Sequence, residues 1–214
     1  MSLSRRSLLL GMPAAGIALS SRRRAPQEVR SKSGLVTGKP VPLPHAEIAG
    51  FLSKEQLRWH HDSHYGGALK GFTRLDATPT GDHRKRIAKA NSVVLHELYF
   101  AGMTGEKTTP GDAARKAIER RFGSLDRWIE DFDAAAKSCR GWAVLAHHPV
   151  NDKLYNIATD SHDDGPAWFG VPLVVVDVYE HSYYIDYQNR KADYVAAFAS
   201  HIDWDEVERR MRAR

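Results

Sequence analysis

The chain of 214 residues contains a single cysteine, Cys139, and this scarcity excludes two classes of site. No intrachain disulfide can form, and no cluster of thiolates can hold a metal ion. A metal site in this protein must therefore be built from histidine, aspartate and glutamate. Those residue types are plentiful, with 11 histidines and 26 acidic residues.

Basic charge is also scarce once the first thirty residues are set aside. Residues 1–30 contain six arginines and one glutamate, which leaves 25 basic and 25 acidic residues in the remainder. The high pI of about 9.3 therefore comes from the N-terminal segment. Because the rest of the chain has no basic excess to follow a phosphate backbone, we expect no nucleic acid partner.

Long apolar runs are missing as well, and the N-terminal one is short. The stretch "SRRSLLLGMPAAGIALS" has paired arginines, Arg5 and Arg6, before an apolar run of about a dozen residues, too short to span a bilayer comfortably. It resembles a twin-arginine export signal. We expect residues 1–30 to be read by the twin-arginine machinery and the protein to be exported to the periplasm or another extracytoplasmic space. The alternative is a basic amphipathic N-terminus without that role.

The next part of the chain changes from loop-forming to helical composition. Residues 31–44 are rich in Gly, Pro and Ser and are predicted to form an extended arm. Residues 45–105 are predicted to form a helical hairpin, whose first helix starts at a capping box of Ser53 and Gln56 and loosens at Gly66–Gly67.

Residues 106–214 alternate between helical and strand-like patterns. Two helices are separated at Gly123, and the runs "GWAVLAHHP", "KLYNIATD" and "VPLVVV" are typical of strands. Two further helices end the chain. The predicted fold class is α+β, an N-terminal helical hairpin followed by a domain with a three-stranded antiparallel sheet and helices.

Acidic and imidazole groups stand in unusually apolar surroundings at three places. Asp177 ends the strand "VPLVVV", where a buried carboxylate is costly without a partner, and His181 follows four residues later. His60 and His96 lie in the two hairpin helices. Three histidines and one aspartate form a suitable ligand set for iron or manganese. Alternatively, Asp177 caps a helix and each histidine packs in the core.

Several stretches, in this order, closely resemble the iron/manganese superoxide dismutase family. They are "LSKEQLRWHH", "LHELYF", "FGS" at 122–124, "GW" at 141–142, "DVYEHSYYIDY" at 177–187 and "IDW" at 202–204. The resemblance covers roughly residues 42–212. It implies that His60, His96, Asp177 and His181 hold one iron or manganese ion per subunit between the two domains, and that the protein converts superoxide to dioxygen and hydrogen peroxide.

The resemblance also implies an assembly, either a homodimer or a dimer of dimers. Glu180 would contact His181 of the partner subunit, and His64 would pair with Tyr184 across the same interface. Tyr99 and Trp142 keep their family identities beside the metal.

Several positions depart from the family pattern. The family usually has a tyrosine at the substrate mouth, where this chain has Ala68, and Tyr65 is a candidate substitute for it. Many members also have a glutamine that hydrogen-bonds the metal's solvent ligand, where this chain has Ser92. His162 falls where other members place that solvent partner, so we expect it to take the role; the alternative is an ordinary loop histidine. Two tryptophans around the metal are replaced, by Val144 and Tyr179. An imidazole in the solvent-bonding place favours iron over manganese.

Three other functions stay open at this point. The chain could be a metal-binding relative with weak or no dismutase activity, as the change at Ala68 suggests. It could be a non-haem iron oxygenase, although such enzymes use two histidines and one carboxylate. It could also be a metal-free interaction protein that associates through residues 177–187.

Overall fold

The computed structural model describes residues 33–78, 82–163 and 170–213. The predicted export signal at 1–30 lies outside these residues. Within the described ranges, no helix combines the length and apolar character needed to cross a membrane.

The first half of the chain forms the predicted helical hairpin. Its elements are α1 (Gly34–Thr37), α2 (Lys54–Trp59), a π-helical segment (His60–Tyr65), α3 (Gly66–Asp76) and α4 (His83–Ala101). The prediction of a wholly extended arm is wrong for α1, where Ser33 caps a single helical turn with its side chain. The arm is held down because Glu97 Oε1 on α4 accepts a hydrogen bond from the Gly34 amide at 2.9 Å.

The first long helix is irregular at a different place from the one predicted. Gly66 and Gly67 lie in α3, and only the Gly66 amide, which bonds the His61 carbonyl oxygen five residues back, takes part in the irregular segment. The irregular part is the π-helical segment just before them, which contains His60 and His64. A π segment inserts extra chain into a helix and is frequent at functional sites. No sequence period marks such a segment, and the glycines indicated only where it ends.

The second half confirms the predicted α+β class. Helices α5 (Asp112–Phe122) and α6 (Leu125–Ser138) precede the strands β1 (Trp142–His148), β2 (Lys153–Thr159) and β3 (Val171–Asp177). The strands pair antiparallel in the order β2-β1-β3. A 3₁₀ turn (Glu180–Ser182) and helices α7 (Tyr184–Tyr187), α8 (Lys191–Ala199) and α9 (Trp204–Arg212) follow.

The strand register brings the chemistry to one end of the sheet. Trp142, the first residue of β1, pairs with Asp177 on β3 and with Thr159 on β2. The loop after β2 carries His162, and α4 packs against β3. The end of β3, the start of β1 and the exit of β2 therefore all face the helical hairpin.

Candidate metal centre

The four predicted ligands meet between the hairpin and the sheet. One ligand atom from each of His60, His96, Asp177 and His181 lies within 4.8 Å of the others. Asp177 Oδ2 is central, at 3.0 Å from His60 Nε2, 3.4 Å from His181 Nε2 and 3.7 Å from His96 Nε2. The π segment, α4, β3 and the 3₁₀ turn each contribute one of these side chains.

Asp177 uses its two carboxylate oxygens differently. Oδ1 accepts a hydrogen bond from the Tyr179 amide at 2.9 Å, which shapes the turn after β3, while Oδ2 faces the three histidines. Asp177 therefore does not cap a helix, because the 3₁₀ turn begins after Tyr179 and has no side-chain cap. His181 reaches Asp177 through a 3₁₀ turn rather than through the α-helical turn that its spacing suggested.

The protonation states suit a metal ion. Burial alone would raise the pKa of Asp177, but the His181 and His60 imidazoles beside it hold that pKa well below its usual range. Burial lowers the pKa of His96 to about 3 and also lowers the pKa of His60. A carboxylate with neutral imidazoles is a donor set that fits one iron or manganese ion.

The orientation of His96 fits the same conclusion. Its Nδ1–H donates to the Ser92 carbonyl oxygen at 2.7 Å, so the lone pair of the neutral ring is at Nε2. Among the described residues that nitrogen is buried without a hydrogen-bond partner, and it faces Asp177 Oδ2. Ser92 therefore orients the His96 ring through its backbone carbonyl oxygen.

Comparisons with known proteins agree with this geometry. Manganese superoxide dismutase 1 of Halobacterium salinarum is 34% identical over 182 residues, which cover 78% of this chain and 90% of the relative. The chain belongs to the iron/manganese superoxide dismutase family. The family model described as "Iron/manganese superoxide dismutases, C-terminal domain" matches residues 110–210.

Iron proteins of the family are equally similar to the chain. The iron superoxide dismutase of Cupriavidus metallidurans is 34% identical over 191 residues, 82% of this chain and 95% of the relative. That of Aquifex pyrophilus is 34% identical over 178 residues, 74% of this chain and 84% of the relative. The names of these relatives thus include both metals, so the comparison leaves the metal open.

Tyr99 lies behind the ligands of this dismutase-family centre rather than at its mouth. Its hydroxyl is 2.9 Å from that of Tyr194, which donates to the Asp177 carbonyl oxygen at 2.8 Å. Burial raises the pKa of both tyrosines, so neither loses its proton at neutral pH. The sequence analysis missed Tyr194. A tyrosine on an otherwise apolar buried helix face needs a partner for its hydroxyl, and that rule was the available signal.

The sequence analysis also missed Gln56 as a support of the turn that carries His181, although it placed Gln56 in a capping box. Ser53 Oγ accepts from the Gln56 amide at 3.1 Å as predicted. The Gln56 side chain, however, is fully buried, donates to the His181 carbonyl oxygen at 2.7 Å and accepts from the Ile185 amide at 3.0 Å. It holds the turn that carries the fourth ligand.

His162 is held close to the ligands by Trp142. The indole Nε1–H donates to His162 Nδ1 at 3.0 Å, and the His162 ring centroid is 6.4 Å from that of His96. Because Nδ1 accepts, the neutral ring carries its proton on Nε2 and can donate it. Burial lowers the pKa of His162 by more than the Asp177 charge raises it, so the ring is neutral at neutral pH. Its bond to a solvent ligand stays a prediction.

Tyr65 does not replace the tyrosine that is missing at position 68. Its hydroxyl donates to Glu97 Oε1 at 2.8 Å and accepts from the Val41 amide at 2.9 Å, so it faces the N-terminal arm. Burial raises the pKa of Tyr65 well above its usual value. Ala68 is itself only 3% exposed and has no polar side-chain atom. The structure thus removes Tyr65 as a proton donor at the mouth.

The residues predicted to form the subunit interface lie on one exposed edge of the centre. The His64 ring stacks on the His181 ring at 3.7 Å, and burial together with His181 lowers the pKa of His64 to about 4. Tyr184 is 47% exposed and Glu180 is exposed on this chain. Tyr179, which replaces a family tryptophan, stacks on the other side of His181 at 5.3 Å. The pairings across a dimer remain predictions.

Proposed function

We propose that the chain is a superoxide dismutase that converts two superoxide anions and two protons to dioxygen and hydrogen peroxide. The observation that carries this proposal is the ligand set of three histidines and one buried carboxylate, with all four ligand atoms within 4.8 Å. An iron or manganese ion bound there would take an electron from one superoxide and return it to a second.

The chain's own residues would set the charge of the site and supply the protons. Asp177 supplies the one negative charge of the ligand set, so a small anion meets little repulsion. His162 offers its Nε2 proton beside the ligands, and Trp142 fixes the tautomer that makes this possible. A superoxide anion that gains an electron must also gain protons, and general acids of this kind contribute about 10²–10⁴-fold to rates.

Three finer points belong to the same proposal. We expect iron rather than manganese, because an imidazole occupies the place expected to bond the solvent ligand. We expect a homodimer or a dimer of dimers, supported by the exposure of Tyr184, Glu180 and His64 beside the centre. We also expect export through the twin-arginine route, on the pattern of residues 1–30; a reporter fused after residue 30 tests this by its location with and without Arg5 and Arg6.

A metal-binding protein with weak dismutase activity is the second candidate. It is favoured by the buried Ala68 and by the engagement of Tyr65 with Glu97, which leave the mouth without a tyrosine hydroxyl. A non-haem oxygenase is disfavoured because four protein ligands converge instead of three. A metal-free interaction protein is disfavoured by the same convergence, since unpaired buried imidazoles and a carboxylate are costly.

The test is superoxide consumption by the purified protein loaded in parallel with iron and with manganese, expressed per bound ion. Fast consumption with iron and slower consumption with manganese would support both the activity and the metal preference. Fast consumption only with manganese would refute the metal preference and keep the activity. Full occupancy by either metal without activity above that of the free ion would refute the dismutase and leave the second candidate.

A further inference from the structure

A buried arginine far along the chain joins the two halves of the metal centre. Arg210 on α9 is only 5% exposed, and its guanidinium bonds three groups of the protein. Nη2 donates to the Leu98 carbonyl oxygen at 2.7 Å, Nη1 to the Leu173 carbonyl oxygen at 2.8 Å and Nε to Glu206 Oε1 at 2.8 Å.

The first carbonyl belongs to the end of the helix that carries His96. Leu98 lies in the last turn of α4, where carbonyl oxygens lack partners inside the helix. The Gly102 amide bonds to the Tyr99 carbonyl oxygen at 3.1 Å, so it does not serve Leu98 in the usual α-helical pattern. A cation is also favoured at this negative end of the helix. Arg210 therefore supplies the missing hydrogen-bond donor at the C-terminal end of α4, two residues after His96.

The second carbonyl belongs to the strand that carries Asp177. In the register of β3 with β1, Val174 pairs with Leu145 and Pro172 with Ala146. Leu173 between them is the extra residue of a β-bulge, which leaves its backbone without a ladder partner on β1. Arg210 bonds this oxygen four residues before Asp177.

We propose that Arg210 is a positioning residue that sets the spacing between His96 and Asp177 and so determines how tightly the centre holds its metal. The guanidinium is planar and presents its donors in a fixed geometry, so two bonded carbonyls cannot move apart independently. Glu206 balances its charge. The site is closed around it: a Cβ on Gly102 would lie 2.9 Å from the Leu98 oxygen and 3.5 Å from both Nη atoms. This inference rests on the proposed metal site.

The test compares three variants of the full chain loaded with iron. Arg210→Met removes both hydrogen bonds to carbonyl oxygens. Arg210→Lys keeps the charge but cannot bond both carbonyl oxygens in the planar geometry of a guanidinium. Val207→Ala is the matched control, because Val207 is 1% exposed on the same helix and its loss destabilises by packing alone. The readouts are the unfolding temperature, the rate of iron transfer to a chelator well below that temperature, and the absorption spectrum of the oxidised iron centre.

We expect Arg210→Met to release iron about tenfold faster than Val207→Ala, the range known for residues that orient metal ligands, and to shift the absorption band. Arg210→Lys should be intermediate. A wild-type release rate and spectrum in Arg210→Met would overturn the inference even if its unfolding temperature falls. Should Arg210→Met not fold, Arg210→Lys decides: iron release faster than in Val207→Ala supports the inference, and a wild-type release rate and spectrum overturn it. A wild-type protein that binds no iron or manganese would refute the metal site itself.

Discussion

The two sides of the metal centre differ in how much of the protein supports them. On the inner side, the segment with Asp177 and His181 is bonded by Gln56 on α2 and Tyr194 on α8, and within the segment Ser182 Oγ donates to the Asp177 carbonyl oxygen. At the mouth, Ala68 has no polar side-chain atom, and His162 is held by Trp142 and Asn91. The difference teaches that the ligand segment is braced at several points, whereas we expect proton supply to depend on one imidazole.

The largest effect should come from removing an inner ligand. His96→Ala takes one of four donors from the centre, so we expect the bound iron or manganese to fall from about one per chain to near zero, with loss of activity. Metal analysis after exhaustive dialysis measures this. His83→Ala is the matched control, because His83 is exposed on the same helix. Unchanged metal content in His96→Ala would show that the ion, if present, is bound elsewhere.

Removing one inner brace should lower stability without removing a ligand. Gln56→Leu leaves the His181 carbonyl oxygen and the Ile185 amide without their partner, which we expect to reduce the free energy of unfolding by about 3 kcal/mol. Urea unfolding of the metal-free protein measures the change. Lys54→Leu serves as control, since Lys54 is exposed on the same helix. Equal midpoints for the two variants would contradict the bracing role.

Acid should destabilise the metal-free protein because the buried histidines on the inner side of the centre resist protonation. The pKa of His96 is lowered by burial to about 3 and that of His60 is also lowered, whereas unfolded histidine titrates near 6.5. The unfolded chain therefore binds protons first, and stability present above pH 6.5 is lost as the pH falls toward 3. Urea midpoints at pH 7, 5 and 4 test this. A constant midpoint would refute it, and His96→Ala should show a smaller drop.

The smallest effect concerns the indole that supports the mouth. Trp142→Phe removes the Nε1–H that bonds His162, so the imidazole is no longer held in the donating tautomer. We expect the rate per bound ion to fall about fivefold, the equivalent of one ordinary hydrogen bond of ~1 kcal/mol. Metal content should not change. A rate equal to the wild-type rate would mean that Trp142 only fills space.

The sequence predicted the fold class from local patterns, which also marked the four ligand candidates, but the choice of metal ligands over a helix cap and core histidines came from the resemblance to the family. The strand "VPLVVV" ends at a carboxylate, and His60 and His96 interrupt apolar helix faces. The sequence did not predict the bracing roles of Gln56, Tyr194 and Arg210, because each bonds backbone atoms elsewhere in the chain. Gln56, for example, bonds residues 125 and 129 positions away. A pattern predicts that a polar side chain is buried, but the fold alone decides which backbone group it meets. The π segment escaped because no residue period marks it.

The most direct test of the account is the rate of superoxide consumption per bound iron ion in His162→Ala, compared with the wild type at equal occupancy. His162→Gln is the matched variant, since an amide can still donate. We predict a fall of about 10²-fold in His162→Ala, partial recovery in His162→Gln and unchanged metal content in both. A wild-type rate in His162→Ala would contradict the account, because the mouth would then obtain its protons without this imidazole.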